Sequence, residues 1–242
     1  MNLNSIQLEP NPVALFTGLT YQQSSQMRPE LAEVDPFNRL LARQSRFRLD
    51  AEMVRDNALS VSGLLVRKVG GRSVKPYQPV GLYRHLNFPR RKYKADTDEN
   101  QYRRGVYTHW QRQFLHPAMK AFDAPSREEC TAQRSRSNTP LAALVLLNDP
   151  MFHHAAKKLA ERVCGEAHDD DARLVYAFQV VLGRAPRAEE GERFLAFLQH
   201  EQADLNARDV AANERERERI DLRVWTLGCS VLLNLDETIT RP

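Results

Sequence analysis

The sequence predicts a mainly α fold: a C-terminal antiparallel helical bundle, preceded by a long proline-rich, loop-rich middle, with at most a short strand pair. Two observations carry this. From Thr139 onward, apolar residues recur at three- and four-residue steps between repeated helix start and stop signals. Across residues 70–139, prolines at 76, 79, 89, 117 and 125 rule out long helices, and no clean period-two run marks a sheet. Hydrophobic residues at 42% and charged residues at 27% give the balance of a folded domain, so the 242 residues can bury a substantial core. Residues 1–19 read as an atypical lead-in. Residues 20–242 read as one helical domain, divided into N-terminal helices (20–69), a polar loop segment (70–138) and the bundle (139–242).

The first short helix is expected from Pro36 to Arg43, because Asp35 is a good N-cap and Pro36 stands at the first helical position. A longer helix is expected from Asp50 to Val66. Leu49, Met53, Val54, Ala58, Val61, Leu64 and Leu65 form its apolar stripe, and Gly70-Gly71 stop it. Its polar residues, Asp50, Glu52, Arg55 and Asp56, read as a solvated face. In the loop segment only residues 105–110, with Val106, Tyr107, Thr108 and Trp110, have strand-like composition. A loop stretch this long is uncommon in a compact domain and is often functional when it occurs.

The bundle begins at Thr139-Pro140, an N-cap followed by a first-turn proline, and Leu141 to Leu147 is read as a buried helix. Asp149-Pro150 repeats the signal for a helix ending near Gly165. The acids Asp169 to Asp171 favour the start of the next helix, which buries Leu174, Phe178 and Val181 and ends at Gly183. Another helix carries Phe194, Leu195, Leu198 and Leu205. The sign-alternating run Glu214 to Arg219 is the exposed start of the last helix, which continues through Trp225 and Leu232.

Composition excludes several classes of function. The longest apolar run ends at Leu147 and is far shorter than the roughly 20 residues that cross a bilayer. Residues 13–19 are a poor secretory signal, with Thr17 and Gly18 interrupting the apolar patch. Cys130, Cys164 and Cys229 are far apart and odd in number, which argues against a disulfide framework and against zinc, iron–sulfur or covalent haem sites within the chain. The net charge of +4 is uneven: residues 84–136 hold 12 Lys/Arg against 6 Asp/Glu, and the rest hold 23 against 25. Such a basic middle serves either an anionic partner or internal bonding of a loop-rich segment.

Several segments in order, Arg48 to Met53, Gly70 to Pro79, Tyr102 to Thr108, Phe122 to Glu128, Asn138 to Leu141, Leu146 to Pro150 and Leu233 to Glu237, resemble the planctomycete secreted domain of unknown function 1553. The resemblance runs from about Tyr21 to Arg241. It implies the C-terminal part of a long exported or periplasmic protein, with a cytochrome c-like domain and another uncharacterised domain upstream. Any haem is then expected on that partner domain, and no cofactor or metal is assigned to this chain. The chain has no haem motif, no export signal and no counterpart to the helical stretch that precedes Tyr21 in the family pattern, and residues 1–19 look like a replacement start, so it is expected to be a truncated or split member.

The densest set of functional-looking side chains lies between Tyr102 and Asn138. Arg103, Arg104, Tyr107, Asp123, Arg134, Arg136 and Asn138 are the candidate ligand-binding residues, with His109, Trp110, Arg112 and Arg127 beside them. Arginine forks near an aromatic platform suit a carboxylate, phosphate, sulfate or sugar. The same arginines can instead pair with Asp50, Glu52, Asp56, Asp123 and Glu128 and fasten the loops to the helices. His109 is the best acid/base candidate, since histidine titrates near neutrality. His116 is read as a turn residue, and His153 and His154 diverge on their helix. Gly70-Gly71 lacks the spacing of a nucleotide loop. Two classes of function follow: an accessory or interaction module beside a cytochrome c-like partner, or an enzyme or binding domain acting on an anionic polysaccharide. Nucleic-acid binding ranks last, for want of a recognition motif.

Overall fold

The computed structural model describes residues 17–19, 22–85, 92–111, 114–208 and 214–241, and the protein is mainly helical. The chain divides into two compact units, residues 1–48 with 240–242, and residues 49–239.

Among the described residues of the smaller unit is helix α1 (Pro29–Val34), with Pro29 in its first turn. The helix expected over Pro36–Arg43 does not form. Asp35 is indeed a cap, its carboxylate accepting from the N–H of Arg39 (2.8 Å) and of Leu40 (2.7 Å). However, Asn38 and Leu41 take left-handed backbone angles (φ 52° and 53°), which a helix cannot continue through. The Asn38 carboxamide holds that turn, donating to the carbonyl of Arg43 (2.8 Å) and accepting from its N–H (3.2 Å). Strand β1 (Phe47–Arg48) pairs antiparallel with β2 (Thr240–Arg241), Phe47 lying opposite Arg241.

The larger unit opens with α2 (Ala51–Val61), which stops well before the expected Val66. Gly63, at φ +77°, supplies the left-handed residue. The N–H of Gly63 bonds the carbonyl of Ser60, and the N–H of Leu64 reaches back to that of Leu59, which is the Schellman closure of a helix end. The apolar stripe ran past the true end because Leu64 folds back onto the core and both Leu64 and Leu65 bond the Leu59 carbonyl. The polar side of α2 is not wholly solvated either. Arg55 is buried because it donates to the carbonyls of Arg103 (2.7 Å) and Gln101 (2.5 Å).

The middle is built from single turns. Residues 82–85, 99–102 and 105–107 are 3-10 turns, and α3 (Pro117–Ala121) is one short helix started by its proline. The strand suggested for 105–110 is replaced by the turn at Gly105–Tyr107 and a single bridge of Thr108 to Val74. Gly105 explains this: a Cβ placed there would sit 2.9 Å from the Cα of Glu52. The backbone bends to press onto α2, which a flat strand would not allow.

The bundle comprises α4 (Pro140–Asn148), α5 (Pro150–Glu166), α6 (Asp170–Leu182), α7 (Ala188–Arg208) and α8 (Glu214–Asn234), with a final turn α9 (Asp236–Ile239). Thr139, Asp149 and Asp169 cap α4, α5 and α6, each accepting a backbone N–H near its helix start. Gly183 ends α6 in the left-handed conformation, φ 72°. The widest interface joins α5 and α8. Small residues permit their approach, with Ala155, Ala156, Ala160 and Cys229 fully enclosed around Leu159 and Leu232. The α4 helix is only half buried. Ala142 and Leu146 reach the core, while Leu141, Leu144 and Leu147 stay 50–58% exposed.

Candidate functional site in the arginine-rich segment

The structure brings the candidate arginines to two places on α2 and employs most of them there. Arg103 is almost fully enclosed, at 2% exposure. Its guanidinium donates to the carbonyls of Arg72 (3.1 Å), Lys68 (3.0 Å) and Gly70. It lies over the ring of Tyr107, 4.1 Å from the centroid, and the Tyr107 hydroxyl accepts the N–H of Gly70 (2.9 Å). Arg103 and Tyr107 together therefore shape the Gly70-Gly71 loop from below.

Arg104 is more than half exposed, and its Nε stands 3.6 Å from Asp56. The Asp56 carboxylate also takes the N–H of Gly105 (2.6 Å) and lies 3.9 Å from Arg55. Burial pushes the Asp56 carboxyl up from its ordinary value, against the pull of these donors. Burial also brings Arg55 down to about 10.

The second place is the N-terminal turn of α2. Arg134 grips Glu52 with both terminal nitrogens (2.7 and 3.4 Å) and reaches Asp50 at 3.6 Å. That grip raises the Arg134 guanidinium further. Arg127 approaches Glu52 at 3.8 Å and covers the indole of Trp110 at 3.9 Å. The Asp123 carboxylate takes the N–H (2.7 Å) and hydroxyl (2.8 Å) of Ser137. Asp123 and Arg127 both have left-handed backbone (φ 58° and 62°), so the 123–137 loop is held in a costly conformation by these clasps. Arg136 and Asn138 are exposed. His109 Nδ1 lies 3.3 Å from the Ser73 hydroxyl, and Arg112 lies outside the described residues.

Each of these carboxylates is engaged: Asp50, Glu52 and Asp56 face Arg55, Arg104, Arg127 and Arg134. A set of cations already matched by carboxylates fastens loops more readily than it captures a free anion.

Sequence reasoning passed over the buried titratable groups behind the site. His116 is the residue before α3 and is buried, its Nε2 2.7 Å from the carbonyl of Tyr77. A carbonyl only accepts, so Nε2 carries the proton. His116, Arg55 and Asp149 line one small enclosed gap with Met119, Phe122 and Phe152. Burial lowers the His116 imidazole and raises the Asp149 carboxyl. The one available signal was His116-Pro117 as a helix start; its burial has no local signature. Beside this lies an open cleft of about 490 Å³, lined by Tyr77, Gln78, Tyr83, Lys92 and Tyr93. The rings of Tyr83 and Tyr93 are stacked there at 5.4 Å. Among the described residues no group of three His, Cys, Asp or Glu side chains is placed to hold a metal.

The family match takes in this whole site. The chain belongs to PSD1, the family described as protein of unknown function (DUF1553). Its match to DUF1553 covers residues 14–198, from within the N-terminal lead-in to Leu198 on α7. The α5–α8 interface therefore joins a helix inside the matched stretch to one beyond it. No curated protein and no solved structure matches the chain.

Proposed function

We propose that this DUF1553 domain is an accessory or interaction module within a cytochrome c-associated exported system of the planctomycete type. The observation that carries the reading is the commitment of Arg103, Arg134 and Arg104 to internal carbonyls and carboxylates. The polar middle then serves to hold a long irregular surface in one shape, as a contact platform needs. Haem belongs to the partner in this reading. The chain's own cysteines do not fit covalent attachment, with Cys130 exposed, Cys164 half-buried and Cys229 enclosed. Mixing the purified protein with a cytochrome c-like domain from such a system is the test. Association by sedimentation at micromolar concentration is expected, and no association at high concentration overturns the proposal.

A second reading, a binding domain or enzyme for an anionic polysaccharide, draws support from Arg127 over Trp110 with the Arg127 side chain 43% exposed. In that case Arg104→Ala, His109→Ala and Arg136→Ala, made singly, weaken binding of a sulfated or uronate polymer and leave the melting temperature unchanged. Unfolding by each variant marks the cluster as structural.

A further inference from the structure

The segment around Asn38 carries a surface unlike the polar loops described above. Val34 is 76% exposed, Phe37 79%, Leu40 76% and Leu41 59%. Apolar residues exposed singly are ordinary. Four within eight residues, on a turn locked by side-chain bonds, mark a contact surface. The Asp35 carboxylate pins the N–H groups of Arg39 and Leu40, and the Asn38 carboxamide brackets Arg43. With the backbone tied in this way, the apolar side chains stay outside.

From Pro36 to Arg48 the charge has one sign, whereas Glu30 and Glu33 stand exposed on the helix before it. Between Pro36 and Arg48 stand Arg39, Arg43, Arg46 and Arg48 and no acidic residue. Asp35 is buried and occupied by its two backbone donors. Apolar tips interleaved with arginines match the two layers of an anionic lipid surface, acyl chains below and phosphate headgroups above. A protein partner would need carboxylates at fixed positions to meet the arginines of this turn, whereas a lipid leaflet supplies anionic groups wherever they fall.

We propose that residues 34–48 form a membrane-docking knob, in which Phe37, Leu40 and Leu41 enter the interfacial layer while Arg39, Arg43 and Arg46 meet anionic headgroups. Neither contribution suffices alone, since stable peripheral binding takes two signals. The mode needs no spanning segment, and no helix among the described residues is long and apolar enough to be one.

Sedimentation of the full chain with vesicles tests this. Phosphatidylcholine vesicles containing phosphatidylglycerol should carry the protein down, phosphatidylcholine alone should not, and added salt should release it. Phe37→Ser and Leu40→Ser should each weaken partitioning about tenfold, and Arg39→Glu should weaken it at least fivefold. These side chains are exposed, so the thermal melts should match the parent. Three results overturn the proposal: no binding to the anionic vesicles, equal binding of the parent and the Phe37→Ser and Leu40→Ser variants, or binding indifferent to salt. Absence of vesicle binding together with concentration-dependent self-association that Phe37→Ser abolishes assigns the knob to a protein contact instead.

Discussion

At the scale of single residues, Arg103 shows how one buried side chain replaces a stretch of regular structure. Residues 68–72 form no helix or strand, yet three of their carbonyls converge on its guanidinium. Lysine offers a point charge in place of a planar fork. Arg103→Lys should therefore cost about 2–4 kcal/mol and raise amide exchange across residues 66–74 first. Equal stability and unchanged exchange would show that the loop holds itself. His116 yields a pH prediction. Burial sets its folded pKa below the ordinary 6.5, so the unfolded chain binds the proton first. Stability is then lost as pH falls through 6.5 toward the lower folded value. Asp149, raised above 3.8 by burial, works with opposite sign, its contribution being lost as pH rises through its folded value. Urea midpoints measured from about pH 7 to pH 5 should fall for the parent and stay flatter for His116→Gln, which can still donate to the Tyr77 carbonyl.

At the scale of elements, two glycines mark where neighbouring pieces touch. A Cβ on Gly105 meets the α2 backbone at Glu52 (2.9 Å), whereas one on Gly228 meets the side-chain tips of Leu198 (2.9 Å) and Phe194 (3.0 Å). Backbone cannot rotate away and side chains can. Gly105→Ala should thus lose about 2–3 kcal/mol and Gly228→Ala about 1 kcal/mol, read from denaturant midpoints; the reverse order would sink this account of the packing. Element identity was largely legible in the sequence. The caps at Thr139, Asp149 and Asp169 and the stop at Gly183 are local chemistry, and each marks a real helix boundary. The misread elements share one cause. Asp35-Pro36 and Asp149-Pro150 look alike, but only the second precedes an apolar run that the core can absorb. Residues 105–110 have strand-forming side chains, yet contact with Glu52 decides their backbone.

At the scale of the whole molecule, distant parts of the larger unit share one apolar core and are further tied by ion pairs at its edge. Arg184, in the turn after α6, makes paired bonds to Glu190 on α7 (2.7 and 2.9 Å) and to Glu237 on α9 (2.8 and 2.7 Å). Bonding to Arg184 lowers Glu190 to about 2 and lowers Glu237 as well. Both carboxylates have depressed folded values. Their contribution is complete above the ordinary 4.5 and is lost as pH falls toward 2. Acid titration of the thermal midpoint should show a drop in that window, and Arg184→Met should remove most of it by lowering the midpoint near neutral pH toward the parent's acid value. A parent and variant with superimposable acid limbs would refute the role of this clamp.

The mainly helical class, the order of the bundle helices from Pro140 to Asn234 and the loop-rich middle follow from the sequence by itself, because caps, prolines and apolar spacing act within a few residues of one another. The tertiary structure alone decided the fate of the arginines. Whether a guanidinium meets solvent, a carboxylate or a ring of carbonyls depends on chain segments tens of residues away, such as Arg134 against Glu52 or Arg55 against Gln101. It also decided that Phe37, Leu40 and Leu41 face outward, because two polar side chains, Asp35 and Asn38, close a turn that local helix signals could not distinguish from a helix start.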